Sequence, residues 1–353
     1  PWSTSTVGQR LQSRSWPTCQ DASHRRCGQN WANPAAWRGG WHARYQGFAE
    51  RADQAGAYAK PDKSLGTLAP CSTGKPSPRY TLAMVLPHHA TVRANDTVSA
   101  TSSVLFLHGI LGSGANLRAL ATRYVASRPG VTVTLVDLRG HGKTKAGDDP
   151  HSVGACARDL VALETHLSLP VSGVLGHSFG GKVALAYHAL RPDLTRVHIL
   201  DSAPFARAEP TGSEQTMRVI DMLEAAPAQF ADREAFSAYV LRHGHSRAVA
   251  EWLAMNLERA DGEVRFRPSL PQIRALLDDY FALDLWHVLE GSRAETDVVI
   301  GGRSYVWEPG HRARLAELSE RTRGRVREHS LPEAGHWIHI DDPKGTVEAI
   351  TAR

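Results

Sequence analysis

At 353 residues and 42% hydrophobic, the chain can bury a sizeable core, and its composition is that of a soluble globular protein with one large domain and a tail. Its net charge of +5 does not mark a nucleic-acid binder, because residues 1–79 hold 11 Lys/Arg against 4 Asp/Glu while residues 80–353 hold 30 against 32, leaving the body slightly acidic. No stretch approaches the roughly eighteen uninterrupted apolar residues of a membrane span, and the N-terminal residues lack the apolar core of a secretory signal.

Residues 1–49 carry Asp21 as their single acidic residue against six arginines, together with five of the nine tryptophans. This composition fits an organelle transit region, chloroplast or mitochondrion, or alternatively an interaction arm; without a targeting role the compartment defaults to the cytoplasm. Residues 50–79 read as a linker, and disorder is expected through most of 1–79. The four cysteines, Cys19, Cys27, Cys71 and Cys156, offer neither a CxxC pair nor the density of a disulfide scaffold. Cys19, His24 and Cys27 match no common zinc spacing, so no metal is expected.

From Tyr80 onward short apolar runs alternate with helical stretches, which predicts an α/β fold with a mostly parallel central sheet and helices on both faces. Strands are expected at Val104–Leu107, Val131–Val136, Val171–Leu175, Arg196–Leu200, Asp297–Ile300 and Arg325–Leu331. The helices between them are expected at Leu117–Ser127, His151–Leu167, Phe179–Leu190 and His311–Arg321. One connection, about residues 204–293, is far longer than the rest. Apolar residues at helical spacing in Met217–Leu223, Arg233–Leu241, Ala248–Leu257 and Ile273–Leu277 predict a helical cap lying over the sheet.

Three of the expected strands hand over to glycine-rich loops that frame the candidate site. After Leu107 comes His108-Gly109-Ile110-Leu111-Gly112-Ser113, where a backbone N–H of Ile110, or failing that Leu111, is placed to receive a developing oxyanion, and His108 braces the loop. After Val136 comes Asp137-Leu-Arg-Gly-His-Gly142, in which Asp137, Arg139 and His141 read as structural. After Leu175 comes Gly176-His177-Ser178-Phe179-Gly180-Gly181, a serine on a sharp strand-to-helix turn. Gly176 and Gly180 permit that turn, and the Phe179 N–H is the second oxyanion donor.

A serine nucleophile needs a base and an acid, and in this chain order both lie downstream of it. His336 in Ala334-Gly-His-Trp337, past the last strand, is the base, with His339 as the one close competitor, read as a helix-entry or surface residue. For the acid, Asp201 stands at the end of its strand, whereas the next strand ends in Gly301-Gly-Arg-Ser-Tyr305. Ser304 there stands in the other usual position and is expected to hydrogen-bond the same histidine. Asp297 sits at the wrong end of its strand, and Glu308 lies beyond the loop.

Together, His108-Gly-Ile-Leu-Gly-Ser113, Asp137-Leu-Arg-Gly-His-Gly142, Gly176-His-Ser-Phe-Gly-Gly-Lys182, Gly301-Gly-Arg-Ser-Tyr-Val306 and Ala334-Gly-His-Trp337 resemble the α/β-hydrolase family over about residues 80–350. More narrowly, they resemble its branch of bacterial short-acyl esterases and the mitochondrial abhydrolase domain-containing protein eleven. The resemblance implies an esterase or thioesterase with a helical cap, and relatives in that branch also carry the Gly-Gly-x-Ser turn in place of the usual acid.

The expected activity is therefore cleavage of a small-molecule acyl ester or thioester by Ser178, His336 and Asp201, with no metal or organic cofactor. Two alternatives stay open: a carbon–carbon bond hydrolase using the same triad, and a ligand receptor that keeps the fold with little turnover. Oligomeric state and acyl preference are not written in the sequence.

Overall fold

A computed structural model describes residues 84–94, 99–148, 150–207 and 214–353. The basic tail, the linker and the Cys19–His24–Cys27 set all lie outside the described residues.

Seven strands form the central sheet in the order β1-β3-β2-β4-β5-β8-β9. They are β1 (His89–Val92), β2 (Ser102–Leu107), β3 (Val131–Val136), β4 (Val171–His177), β5 (Arg196–Leu200), β8 (Glu295–Gly301) and β9 (Val326–Leu331). Six run parallel, and β1 alone pairs antiparallel, on the edge against β3. The β2, β3 and β4 strands are buried nearly end to end, as a sheet covered on both faces requires. One face is covered by α2 (Val153–Glu164), α3 (Phe179–Leu190), α9 (Pro309–Arg321) and the long insertion. The other packs against α1 (Arg118–Ser127) and α11 (Pro343–Thr351).

The insertion between β5 and β8 contains α4 (Glu214–Glu224), α5 (Arg233–Arg242), α6 (Arg247–Ala254), α7 (Leu270–Ala282) and α8 (Trp286–Gly291). It is not wholly helical: β6 (Leu257–Ala260) and β7 (Glu263–Phe266) form an antiparallel hairpin, so the helix expected to reach Leu257 stops at Ala254. The cause is local. Asp261 and Gly262 adopt φ values of 52° and 88°, the two-residue turn whose twist matches flanking strands. Phe236, Val240, Leu253, Ile273 and Leu276 from this insertion are buried in the same apolar cluster as Leu105, Val174 and Val183. At ~25 cal/mol per Å² of apolar surface removed from water, that shared burial is the main force seating the insertion on the sheet.

Candidate active site

Ser178 joins β4 to α3 with φ 52° and ψ −119°, a conformation that costs a non-glycine residue about 1–3 kcal/mol and points its side chain out of the turn. The turn closes because its neighbours lack side chains. A Cβ on Gly176 would run into the backbone of Gly180 and Gly181, and one on Gly180 into the carbonyls of Leu107 and His108. The Ser178 N–H donates to Leu200 O at 3.0 Å, tying the turn to the end of β5.

His336 reaches this turn from the loop after β9. Its Nε2 lies 3.0 Å from Ser178 Oγ and its Nδ1 lies 2.7 Å from Asp201 Oδ2. A carboxylate only accepts, so the Nδ1 proton faces Asp201 and Nε2 is left to accept the serine proton. Asp201 follows β5 at φ 43° with its side chain fully buried, and its other oxygen accepts the Gly301 N–H at 3.1 Å. Ser304 is also present, but not with the partner expected. Its hydroxyl donates to Asp201 Oδ2 at 2.5 Å rather than to the histidine, on the same carboxylate that the Gly301 N–H bonds. His339 sits within the four-residue α10 (Ile338–Asp341). Its ring is 4.6 Å from that of His177 and is partly buried, so of the two placements expected, helix entry or surface, it takes the helix. Burial pushes the His339 imidazole down to about 4.

The positions read as oxyanion donors come from the start of α3 and from the loop after β2. Phe179 is the first residue of α3, so its N–H has no intrahelical acceptor. Ile110 and Leu111 occupy a turn closed by the Gly112 N–H on Gly109 O at 3.0 Å, with Leu111 at φ 57°. His108 is buried in this loop and held neutral because burial lowers its pKa. Its Nδ1–H donates to Gly109 O at 2.7 Å, and its Nε2 accepts the Leu138 N–H at 3.0 Å. Gly109 lies directly under the serine: a Cβ there would stand 3.3 Å from Ser178 Cβ.

The Asp137–Gly142 segment is a scaffold. Asp137 accepts the N–H groups of Gly114 at 2.8 Å and Lys143 at 2.9 Å, and Arg139 makes a two-pronged buried pair with Asp159 at 2.8 Å per bond. His141 is pushed down to about 3 by burial, with His108 beside it as the next cause.

Three residues beside the serine escaped the sequence reading. The Nε2–H of His177 donates to His336 O at 2.9 Å, holding the base loop, and burial keeps this ring well below its ordinary pKa. From the insertion, the buried Asn256 side chain donates to Leu111 O at 2.8 Å. Lys182, one turn along α3 from the serine, is also buried. His177 could have been noticed from its place inside the serine motif; the partners of Asn256 and Lys182 are too distant in sequence to leave a signal. Among the described residues no group of three His, Cys, Asp or Glu side chains is arranged to hold a metal ion, and no helix is long and apolar enough to cross a membrane.

Comparison with known proteins gives the fold and the family. The chain is 29% identical to the mouse sn-1-specific diacylglycerol lipase ABHD11, over 71% of this chain and 80% of the relative. It is 28% identical to esterase YbfF of Escherichia coli, over 70% of this chain and 91% of the relative. Among solved structures, a marine microorganism esterase superposes with a TM-score of 0.64 at 21% identity, covering 75% of this chain and 97% of that one. The model of the alpha/beta hydrolase family matches residues 104–349, and the chain belongs to that family.

Proposed function

We propose that the chain is a serine hydrolase of carboxylic esters or thioesters, with Ser178 as nucleophile, His336 as general base and acid, and Asp201 as the partner of the base. The observation that carries this reading is the unbroken line of hydrogen bonds from Ser178 Oγ through His336 to Asp201, at 3.0 and 2.7 Å. Ser178 attacks the acyl carbonyl while its proton passes to His336 Nε2. The N–H groups of Phe179 and Ile110, with Leu111 the second choice on that side, receive the oxyanion. His336 then protonates the departing alcohol or thiol, and water activated by the same histidine releases the acid. Asp201 keeps the Nδ1 proton in place and stabilises the imidazolium without taking the proton. Residues 80–353 form the hydrolase domain in this reading, and about 204–293 its cap. The lipase and esterase names of the relatives support ester substrates, and lipid esters are among them.

The test is hydrolysis of p-nitrophenyl acetate, butyrate and octanoate, and of a matched acyl thioester, by the whole chain and by Ser178→Ala and His336→Ala. Parent turnover is expected, falling by roughly 10⁴–10⁶ in either variant. Parent inactivity across the panel, or activity surviving in Ser178→Ala, would defeat the reading.

A further inference from the structure

Lys182 carries a buried ammonium that forms no ion pair with any carboxylate among the described residues. Its Nζ instead donates to three backbone carbonyls: Phe205 O at 2.9 Å, Leu283 O at 2.7 Å and Tyr280 O at 2.5 Å. Phe205 lies where the chain leaves β5 for the insertion, and Tyr280 and Leu283 lie at the end of α7, where the chain comes back beside that exit before α8. These two roots also pair with each other, Arg207 N–H to Phe281 O at 2.8 Å and Leu285 N–H to Pro204 O at 2.7 Å. An ammonium has three protons and no acceptor, so all three protons are used and all three bonds reach across to the insertion. The Tyr280 ring stands 4.6 Å from Nζ and 5.8 Å from the ring of Phe179, the residue beside the serine.

We propose that Lys182 is a positioning residue that latches both roots of the insertion onto the nucleophile helix and thereby holds Tyr280 against Phe179 as a wall of the substrate pocket. The proposal rests on the hydrolase reading only where it speaks of substrate. Burial, with Arg207 as the next cause, brings this lysine down to about 7 against the opposing pull of Asp284 and Asp279, and the three carbonyls that accept its protons favour the charged form. A side chain needed only for packing would be an apolar one, and three convergent carbonyls are an acceptor set that methionine cannot use.

The test compares the whole chain with Lys182→Met, Tyr280→Ala and the double variant. One set of readouts is KM and kcat on the p-nitrophenyl series; the other is amide exchange at Arg207 and Leu285 and the melting temperature. Lys182→Met is expected to raise KM roughly tenfold, the size of one lost hydrogen bond to a charged group, with kcat changed less than about threefold. Exchange at the two root amides should quicken while strand amides keep theirs. If Lys182 acts through Tyr280, the KM effects of the double variant fall well short of additive. Unchanged KM and root exchange, or fully additive effects, overturn the proposal. So does a Lys182→Met chain that loses protection everywhere or fails to fold, since the role assigned is local. A parent chain with no turnover defeats the hydrolase reading, and root exchange in Lys182→Met still decides the latch.

Discussion

Strands β5, β8 and β9 each contribute to two acid–histidine groupings, one in the sheet and one just beyond its end. Within the strands, Asp297 bonds His198 at 3.1 Å, His329 at 2.9 Å and Arg327 at 2.7 Å, with His198 and Asp297 paired in register. Past the strand ends stand Asp201, Ser304 and His336. The residue types are nearly the same, yet the outcomes differ. Asp297 and His198 are sealed by the helices on the sheet, and Arg327 gives the carboxylate a permanent countercharge. Beyond the strand ends the histidine keeps a quarter of its side chain exposed and faces a strained serine. Chemistry needs the base to reach both a nucleophile and solvent, and a strand interior supplies neither.

The comparison can be broken most forcefully at the serine, where Ser178→Ala or His336→Ala should remove roughly 10⁴–10⁶ of turnover. Next, Asp201→Asn should lower kcat by about 10⁴, because the amide presents a donor to Nδ1 and selects the wrong tautomer. Asp297→Asn in steady-state assays should leave kcat within about threefold. In denaturant titrations the same variant should lose roughly 3–5 kcal/mol of stability, since Arg327 is left without its carboxylate. Equal losses of activity in the two variants would erase the distinction drawn here.

A pH series sharpens the picture at smaller scale. His339 and His141 stay neutral in the fold down to about 4 and about 3, whereas in the unfolded chain they take up protons below about 6.5. Their contribution is therefore whole above about pH 6.5 and is lost as pH falls toward those values, at up to ~1.4 kcal/mol per unit for each group. Asp297, whose burial would raise its pKa, is held below the ordinary carboxylate range by the bonds from His198 and His329, so its share persists through that window. Melting temperature should fall between pH 6.5 and 5, and His339→Gln should flatten the fall; a slope unchanged in that variant would contradict the burial of a neutral ring. The smallest effect is expected from Ser304→Ala. It removes one of the donors on Asp201 and should lower kcat roughly tenfold, measured on the same ester panel.

The sheet was legible because parallel strands buried on both faces must be nearly continuous apolar runs, as Val131–Val136 and Val104–Leu107 are. The serine turn was legible because the geometry tolerates few residues at 176 and 180. The edge strand His89–Val92 was missed: one edge pairing needs no apolar run. The hairpin in the insertion was missed although Asp261-Gly262 was in view, since the four-residue strands flanking it are too short and too evenly mixed in charged and apolar residues to show a strand pattern. The partner of Ser304 and the role of Lys182 depend on chain segments about a hundred residues away, and no local pattern records them.

Of the five non-glycine residues with positive φ among those described, Leu111, Ser178 and Asp201 all lie in this one site. Strain of about 1–3 kcal/mol at each exceeds the ~0.4–1 kcal/mol by which a glycine there would favour the unfolded chain. Ser178→Gly should therefore melt at a higher temperature than the parent chain. On the proposed role of Ser178 such chains would not turn over, so any effort to harden this protein has to read out turnover alongside melting.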